Sequence, residues 1–469
     1  MEADKKTYFN TIAPTRIKQR KAKSYYWNDI TNYCDYFIHE DISVLEIGCG
    51  TGELLNEIKA KTKVGIDFSE LMIEQAKKQY PTLDVRVMAA EEIQLEQKFD
   101  LIILSNLIGY LDDIQLVFEK LHALCHANTK IIITYYNFLW EPILKFGEWI
   151  GYKTKTPRQN WLSLAEINNL LFLSGFHVYR NSRSMIFPLY IPLISELMNN
   201  VLAKLPVLRL LSINNYTFAK ALPKNSIEKE LSVSIIVPAR NESGNIQNLL
   251  NRLPQLGSST ELIFVESGST DDTWEKITTV QESSSSHFKT QAIQINEKGK
   301  APAVRKGFDL ATGDVLMILD ADLTVAPEDL IKFYNAIASG KADFVNGSRL
   351  VYPMQKEAMR FLNLLGNKFF SQTFTWLLDQ PIKDTLCGTK VLLKKDYKRL
   401  VTNRSYFGDF DPFGDFDLLF GAHKLNLCMV ELPVRYHERT YGRTNISRFK
   451  HGLLLLKMCF FAARKVKFK

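Results

Sequence analysis

The sequence predicts two successive α/β domains, and three observations carry that expectation. Short apolar runs of strand length alternate with helix-length segments twice over, first from Val44 to Thr134 and again from Val233 to Leu319, which is the βαβ rhythm of a parallel sheet. The chain has 469 residues, enough for two or three domains. Its composition, 46% hydrophobic and 23% charged, is that of an ordinary globular protein and excludes a disordered, collagenous or coiled-coil chain.

In the first half the runs are Val44–Ile47, Val64–Asp67, Val85–Val87, Leu101–Leu104 and Ile131–Thr134. In the second they are Val233–Val237, Leu262–Val265, Gln291–Ile295 and Val315–Leu319. Between the halves, residues 186–222 hold apolar clusters broken by Pro188, Pro192 and Pro206. We place the linker near 223–231, the first domain at 1–225 with its core at about 40–180, and the second at 232–450. Six cysteines without a C-x-x-C pair suit a reduced, cytoplasmic setting. The N-terminus lacks the apolar segment of a signal peptide, and no stretch reaches the 18 or so apolar residues of a spanning helix.

The first strand runs into Gly48-Cys-Gly-Thr-Gly52, followed by a helical stretch from Glu53. Glycines there let backbone amides approach a ligand at a helix N-terminus. The spacing differs from the dinucleotide fingerprint G-x-G-x-x-G, and no Gly-Lys-Ser/Thr argues for a nucleoside triphosphate. Asp67 closes the second strand, where a carboxylate can accept hydrogen bonds from two ribose hydroxyls. The stretch 40–180 resembles class I S-adenosylmethionine-dependent methyltransferases, with their Rossmann-like sheet. That resemblance implies that Glu46, Gly48, Gly50 and Gly52 hold the methionine end of the cofactor and Asp67 its ribose. Ala89-Ala-Glu91-Glu92-Ile is similar to the adenine-contacting D-A-E-E-L, with Ala89 in place of the Asp, which leaves the adenine to the backbone or to Glu91. Phe99–Asn106 resembles the fourth-strand motif whose end faces the methyl acceptor.

In the second half, Pro238-Ala-Arg240-Asn-Glu242 follows one strand, Glu266-Ser-Gly-Ser-Thr-Asp-Asp272 the next, and Asp320-Ala-Asp322 a third. Carboxylates at i and i+2 of an extended segment point the same way, so Asp320 and Asp322 can share one Mg²⁺ or Mn²⁺ whose shell a substrate phosphate completes. Lys298, Lys300, Arg305 and Lys306 lie close in sequence to offset phosphate charge. Residues 232–450 resemble family 2 glycosyltransferases of the GT-A fold, especially polyprenyl- and dolichyl-phosphate sugar synthases. The resemblance implies a nucleotide-diphospho-sugar donor lined by Pro238, Arg240, Glu242, Glu266, Lys300, Asp320 and Arg439, with Asp320 and Asp322 as metal ligands. It puts Arg349 and Arg360 on the acceptor phosphate or the diphosphate, and Asp384–Lys390 on the acceptor side. Arg439–Asn445 resembles the late loop that folds over the diphosphate, with Asn445 in place of its lysine. A sugar-hydroxyl acceptor needs a general base, for which Asp384 and Asp415 are the candidates; a phosphate acceptor, such as a polyprenyl phosphate, needs none. The run from Phe407 to Asp417 is either a loop capping a helix or part of the site.

Net charge is +8, but residues 435–469 hold ten Lys/Arg against Glu438 alone, a local +9, so the other 434 residues sum to 8 − 9 = −1. As a helix, 449–469 carries Lys450, Lys457 and Arg464 in one stripe on an otherwise apolar surface. It either packs on the second domain or lies in a lipid interface, which makes the protein peripheral on the inner face of the membrane. Two enzyme classes stand: a bifunctional sugar and methyl transferase, and a glycosyltransferase whose first domain only binds cofactor or partners. Nucleic-acid binding, suggested by charge alone, lacks a reader motif and interleaved stacking aromatics, and we expect none.

Overall fold

Each of the nine apolar runs is a strand in the computed structural model of the chain. The structure describes all residues except 1, 152–154, 158, 223–229, 283–287, 298, 350–360, 403–415, 440, 442–447 and 469, and the backbone alone of 2–4, 361–365 and 448–452. The chain divides into one unit of residues 1–222 with 468–469 and another of 223–467.

The first unit builds one sheet from β1 (Ser43–Ile47), β2 (Thr62–Asp67), β3 (Asp84–Val87), β4 (Phe99–Ser105), β5 (Cys125–Tyr136), β6 (Phe176–Ser184) and β7 (Asn214–Ala221). The order is β3-β2-β1-β4-β5-β7-β6. β1 to β5 are parallel, whereas β7 runs antiparallel to both β5 and β6. The five runs read from sequence are parallel as expected, and β6 and β7 make the whole sheet mixed. β7 falls in the segment read from sequence as broken apolar clusters. Asn214, Asn215 and Lys220 interrupt its apolar pattern, yet all three are buried. Partners inside the protein make that burial tolerable, since a buried polar group without one costs about 1–3 kcal/mol: Asn214 Oδ1 accepts from the Tyr26 hydroxyl at 2.9 Å. Strand order reverses between β1 and β4, the position at which open α/β sheets bind ligands beyond their carboxyl ends. Ser69 and Asp113 cap the helices Glu70–Gln79 and Ile114–Leu121 by accepting from Met72 N and Leu116 N, as short polar side chains do at that position.

The second unit has β8 (Val233–Ala239), β9 (Thr260–Glu266), β10 (Lys289–Gln294), β11 (Val315–Ile318), β12 (Phe344–Ser348), β13 (Lys390–Leu393) and β14 (Met429–Pro433). Their order is β10-β9-β8-β11-β13-β12-β14. β8 to β11 are parallel, and β13 runs antiparallel to β11 and β12. The reversal point here lies at β8 and β11, whose ends carry the Pro238–Glu242 and Asp320–Asp322 segments. Pro238 is tolerated in β8 because the pairing with β11 ends at Ile236, so no ladder bond to that strand is lost.

The C-terminal segment is a helix, Arg448–Ala462. Leu455, Met458, Cys459 and Ala462 join the core of the second unit with Phe370, Phe374 and Leu377, while Leu453, Leu456 and Phe460 stay exposed. Lys467 pairs with Asp379 at 2.5 Å. Of the two alternatives for this tail, packing is thus realised on one face, and a second apolar stripe faces outward. Among the described residues no helix is long and apolar enough to cross a membrane. All six cysteines are buried, and none is in a disulfide.

Candidate functional site

In the first unit, Gly48, Gly50 and Gly52 take φ of 74°, 54° and 81°, a left-handed region that side chains with a Cβ enter only at a cost. The turn closes on the neighbouring strand: Gly48 N donates to Ile66 O at 2.8 Å and Gly50 N to Asp67 Oδ2 at 2.9 Å. Ser69 N donates to the other Asp67 oxygen at 3.0 Å. A Cβ on Gly50 meets no protein atom within 4 Å, so the turn borders open space. Beneath it, Glu46 is buried and its Oε2 has no hydrogen-bond partner. Burial pushes its carboxyl up to about 8, against the pull of Arg20, with Glu53 and Asp67 adding to the rise. Burial also raises Asp67, which its two backbone donors oppose.

Glu91 lies in the short helical turn Ala90–Glu92, where its Oε1 accepts from Asp112 N at 3.1 Å. Asn106, just past β4, has φ 51° and two buried side-chain polar atoms without a partner. The helix Glu2–Ala22 contributes what the sequence did not reveal. Asn10 Oδ1 accepts from Ser69 Oγ at 2.6 Å, Lys5 Nζ donates to Tyr110 O at 2.8 Å, and Arg20 lies 3.8 Å from Glu53. That helix therefore ties the loop after β2 to the loop after β4. No local pattern marks these residues, because their partners are 59 and 105 positions away.

The titration of Glu46 gives a testable consequence. Its folded value lies above the ordinary carboxyl range, so the stability associated with the protonated form is full below about pH 4.3 and is lost as pH rises through about 8. We expect Glu46→Gln to raise the unfolding temperature at pH 9 and to leave it unchanged at pH 4, read by thermal denaturation without added ligand. A parallel shift at both pH values would contradict this.

In the second unit, two cations interlock with three carboxylates. Lys300 Nζ lies 2.6 Å from Asp320 Oδ1. Arg439 reaches Asp322 Oδ2 at 2.6 Å and Glu242 Oε1 at 3.6 Å. Thr324 fixes Asp322 by donating both N–H and hydroxyl to Oδ1, at 3.1 and 2.8 Å. Asn245 donates to the other Glu242 oxygen at 2.7 Å. Asp320 is held below the ordinary range: burial opposes this, but Lys300, Lys390 and Arg439 together prevail. Glu242 goes the other way, pushed to about 7 by burial and by Asp322 and Asp320, against Asn245 and Arg439.

The loops after β8 and β9 lock together beside this cluster. Asn241 Oδ1 accepts from Thr270 N at 2.7 Å, and Asn241 N donates to Ser269 Oγ at 3.0 Å. Glu266 is buried, accepting from Ser269 N at 2.5 Å and Gln294 Nε2 at 3.2 Å. Arg240 Nε is buried without a hydrogen-bond partner. Tyr441 bonds Ser243 at 2.9 Å and Asp271 at 3.2 Å. Its ring lies where a Cβ on Gly244 would come within 2.6 Å, so glycine at 244 leaves room for the Tyr441 ring. Thr324 went unassigned in the sequence, and Tyr441 and the buried Lys390 fall inside segments named there without a role of their own.

The Asp384–Lys390 segment abuts the same cluster. A Cβ on Gly388 would stand 1.9 Å from Asp320 Oδ2 and 2.3 Å from Lys300 Nζ. Four residues earlier, Asp384 is fully buried and takes both Arg349 Nε at 2.7 Å and Arg349 Nη2 at 2.8 Å. Arg349 also lies over the Tyr436 ring at 5.1 Å. The Asp384 carboxyl stays below its ordinary range because Arg349 outweighs burial. Arg305 pairs with Asp417 at 3.3 Å, at the start of the helix Phe416–Lys424, so its charge is directed there and not to the Asp320 cluster. Arg360, Asp415, Lys298 and residues 442–447 lie outside the described residues.

Comparison with known proteins agrees with this division. Residues 45–131 match the family model of a methyltransferase domain and residues 234–400 that of glycosyl transferase family 2. Dolichol-phosphate mannosyltransferase of Pyrococcus furiosus is 37% identical over 140 residues, 29% of this chain and 39% of that one. Undecaprenyl-phosphate 4-deoxy-4-formamido-L-arabinose transferase of Klebsiella pneumoniae is 34% identical over 234 residues, 46% of this chain and 62% of that one. The chain thus spans less than two thirds of the length of either curated relative. A SAM-dependent methyltransferase structure from Thermotoga maritima aligns with 45% of this chain and 97% of its own at 16% identity, with a TM-score of 0.36. The chain carries a methyltransferase domain followed by a family 2 glycosyltransferase domain.

Proposed function

We propose that the protein is a bifunctional transferase. Its second unit moves a sugar from a nucleotide-diphospho-sugar to a polyprenyl phosphate, and its first moves a methyl group from S-adenosylmethionine. The observation that carries the sugar-transfer reading is the Glu242–Asp320–Asp322 cluster interlocked with Lys300 and Arg439 at the ends of parallel strands. Burial, with Asp322 and Asp320 adding to it, holds Glu242 near 7, and the carboxylates of Asp320 and Asp322 are hard oxygens, the donors that Mg²⁺ or Mn²⁺ prefers. Asp320 and Asp322 would hold that ion, which when bound supplies charge stabilisation to a diphosphate leaving group. Lys300 and Arg439 would offer their charge to the phosphate oxygens of the donor, and the unpartnered Arg240 Nε a hydrogen-bond donor to the nucleotide. Glu266 positions the Ser269 amide beside the base.

A phosphate acceptor is already ionised, so no side chain has to remove a proton. The depressed, arginine-bound Asp384 suits that chemistry: it orients Arg349 toward an acceptor phosphate in place of serving as a base. Deprotonation of Glu242 should help cation binding. We therefore expect Mn²⁺ affinity, measured calorimetrically with a nucleotide sugar present, to rise between pH 6 and 8, and Glu242→Gln to abolish most of that rise. Equal affinity at both pH values in the unaltered protein would contradict it.

For methyl transfer, the positive-φ glycine turn, the open space over Gly50, the Asp67 carboxylate and the orphaned Glu46 oxygen fit a cationic cofactor with a ribose. The cofactor when bound supplies an electrophilic methyl group, and the protein's task is placing the acceptor in line with it. Asn106, with its unpartnered amide, is the acceptor-orienting candidate. Ala89, in place of an acid, favours a second reading in which this unit binds the cofactor without turning it over. Gly50→Val should cut S-adenosylmethionine affinity by at least tenfold by calorimetry. Affinity with no methyl transfer to any extracted lipid or glycan would support the second reading, and no affinity at all in the unaltered protein would exclude both.

A further inference from the structure

We infer that Arg20, on the helix Glu2–Ala22, takes the α-carboxylate of S-adenosylmethionine and so selects the intact cofactor over adenosyl compounds that lack this group. The inference rests on the reading that this cofactor binds over the Gly48–Gly52 turn; the identity of the methyl acceptor does not enter it. The methionine end of the cofactor carries an ammonium and a carboxylate on one carbon, and each needs a partner. Glu46, buried with one oxygen unpartnered, suits the ammonium. The turn cannot serve the carboxylate well, because its own amides are engaged within the protein. Gly48 N and Cys49 N donate to Ile66 O, Gly50 N to Asp67 Oδ2 and Gly52 N to Cys49 O. Glu46, Glu53 and Asp67 also lie close enough together to act on one another, so an anionic group brought there without a cation would be repelled.

Arg20 is the cation at this end of the site. Its side chain is 12% exposed, and the Glu53 carboxylate stands 3.8 Å from its Nη1, beyond hydrogen-bonding distance. Glu53 is occupied instead by the Thr51 hydroxyl, 2.8 Å from both of its oxygens. Arg20 Nη2 is buried without a hydrogen-bond partner. The Arg20 charge also reaches Glu46, whose carboxyl it pulls down against burial. Buried polar groups are ordinarily paired, and a guanidinium with unmet donors presents a planar fork that matches a carboxylate in a bidentate pair. An orphaned carboxylate oxygen and an orphaned guanidinium nitrogen beside one glycine turn are the complement of a zwitterionic amino-acid end.

Trp27 holds the fork in place. The Arg20 guanidinium lies over its indole at 4.6 Å, a favourable cation–π contact. Arg16, four residues earlier and so on the same helix face, lies over the same ring at 5.3 Å. The two arginines serve different ends of the site. Arg16 acts on Asp67, the acid read as the ribose ligand, and on Tyr8 and Tyr110, whereas Arg20 acts on Glu46. Their helix is fastened to the loops after β2 and β4, by Asn10 on Ser69 at 2.6 Å and by Lys5 on Tyr110 O at 2.8 Å. Arg20 is therefore placed before any ligand arrives, which spares the cost of ordering a long side chain on binding.

The test measures, by calorimetry on the full chain, the binding of S-adenosylmethionine and of its decarboxylated form, which keeps the ammonium, the sulfonium and the nucleoside. The unaltered protein should prefer the intact cofactor by about tenfold or more, the scale of one charge-assisted hydrogen bond. Arg20→Met should erase that preference by weakening S-adenosylmethionine without weakening the decarboxylated form. Arg20→Lys, which keeps the charge but loses the fork, should retain part of it. If Arg20→Met lowers the unfolding temperature, the preference of the unaltered protein and its reduction in Arg20→Lys carry the comparison. An unchanged preference in Arg20→Met would overturn the inference, and so would equal weakening of both ligands, which would make Arg20 a structural contact of its helix. Equal affinity for both ligands in the unaltered protein would overturn it while leaving the methyl-transfer reading in place. Affinity for neither would count against that reading itself and the inference with it.

Discussion

Asp384→Ala should destabilise the second unit by about 3–5 kcal/mol, because it strands a buried guanidinium without its counter-charge. Arg349 donates to Asp384 through its backbone N–H, Nε and Nη2, at 3.0, 2.7 and 2.8 Å, and the Asp384 side chain is fully buried while that of Arg349 is 11% exposed. Desolvation has already been met in the folded state, so removing one partner loses the attraction and keeps the penalty. Replacing both, as Arg349→Met with Asp384→Leu, should restore most of the stability but not sugar transfer. The measurement is chemical denaturation of the single and double variants followed by a transfer assay. A double variant as unstable as Asp384→Ala would show that the pair does not act as a unit, and a double variant with full activity would remove Arg349 from the acceptor site.

Asp322→Ala should reduce sugar transfer by roughly 10²–10³-fold, the usual cost of removing one preorganised charge partner from a transfer site, with the fold retained. Asp322 lies beyond the end of β11, and its loss breaks the Thr324 hydrogen bonds, which are worth about 1 kcal/mol each. It also releases Arg439, which keeps a 3.6 Å approach to Glu242. Donor binding should then lose its dependence on divalent cation. Transfer within twofold of the unaltered protein, assayed at saturating donor, would exclude Asp322 from the site.

How much of this was legible in the sequence depends on whether cause and effect lie close together in the chain. β1, β4, β8, β9 and β11 announce themselves because strands buried on both faces in a parallel sheet are continuous apolar runs, such as Leu101–Leu104. The Gly48–Gly52 turn is legible for the same local reason, since its backbone requires positive φ. β7 was hidden: its buried Asn214, Asn215 and Lys220 read as surface until the partners that satisfy them are brought in from elsewhere. β12, β13 and β14 are four or five residues long and pair only with strands far off in sequence.

The sites divide similarly. Asp320 and Asp322 were readable as a pair from their spacing together with the acids at the ends of the earlier strands. That Arg439 sits on Asp322, that Tyr441 closes over Gly244, and that Arg305 is diverted to Asp417 are tertiary facts without a local signature. Residues 350–360 and 403–415, where Arg360 and Asp415 fall, lie outside the described residues; the role of Arg360 rests on resemblance and that of Asp415 on the need of a hydroxyl acceptor for a base.

The most direct test of the bifunctional, lipid-directed account is a double-label experiment. The full chain is incubated with polyprenyl phosphate in membranes, a panel of sugar-labelled nucleotide sugars and methyl-labelled S-adenosylmethionine. The account predicts sugar label in an organic-extractable, mild-acid-labile product that disappears with Asp322→Ala, together with methyl label in an extracted lipid or glycan that disappears with Gly50→Val. Sugar label found only in water-soluble material, undiminished by Asp322→Ala, would contradict it.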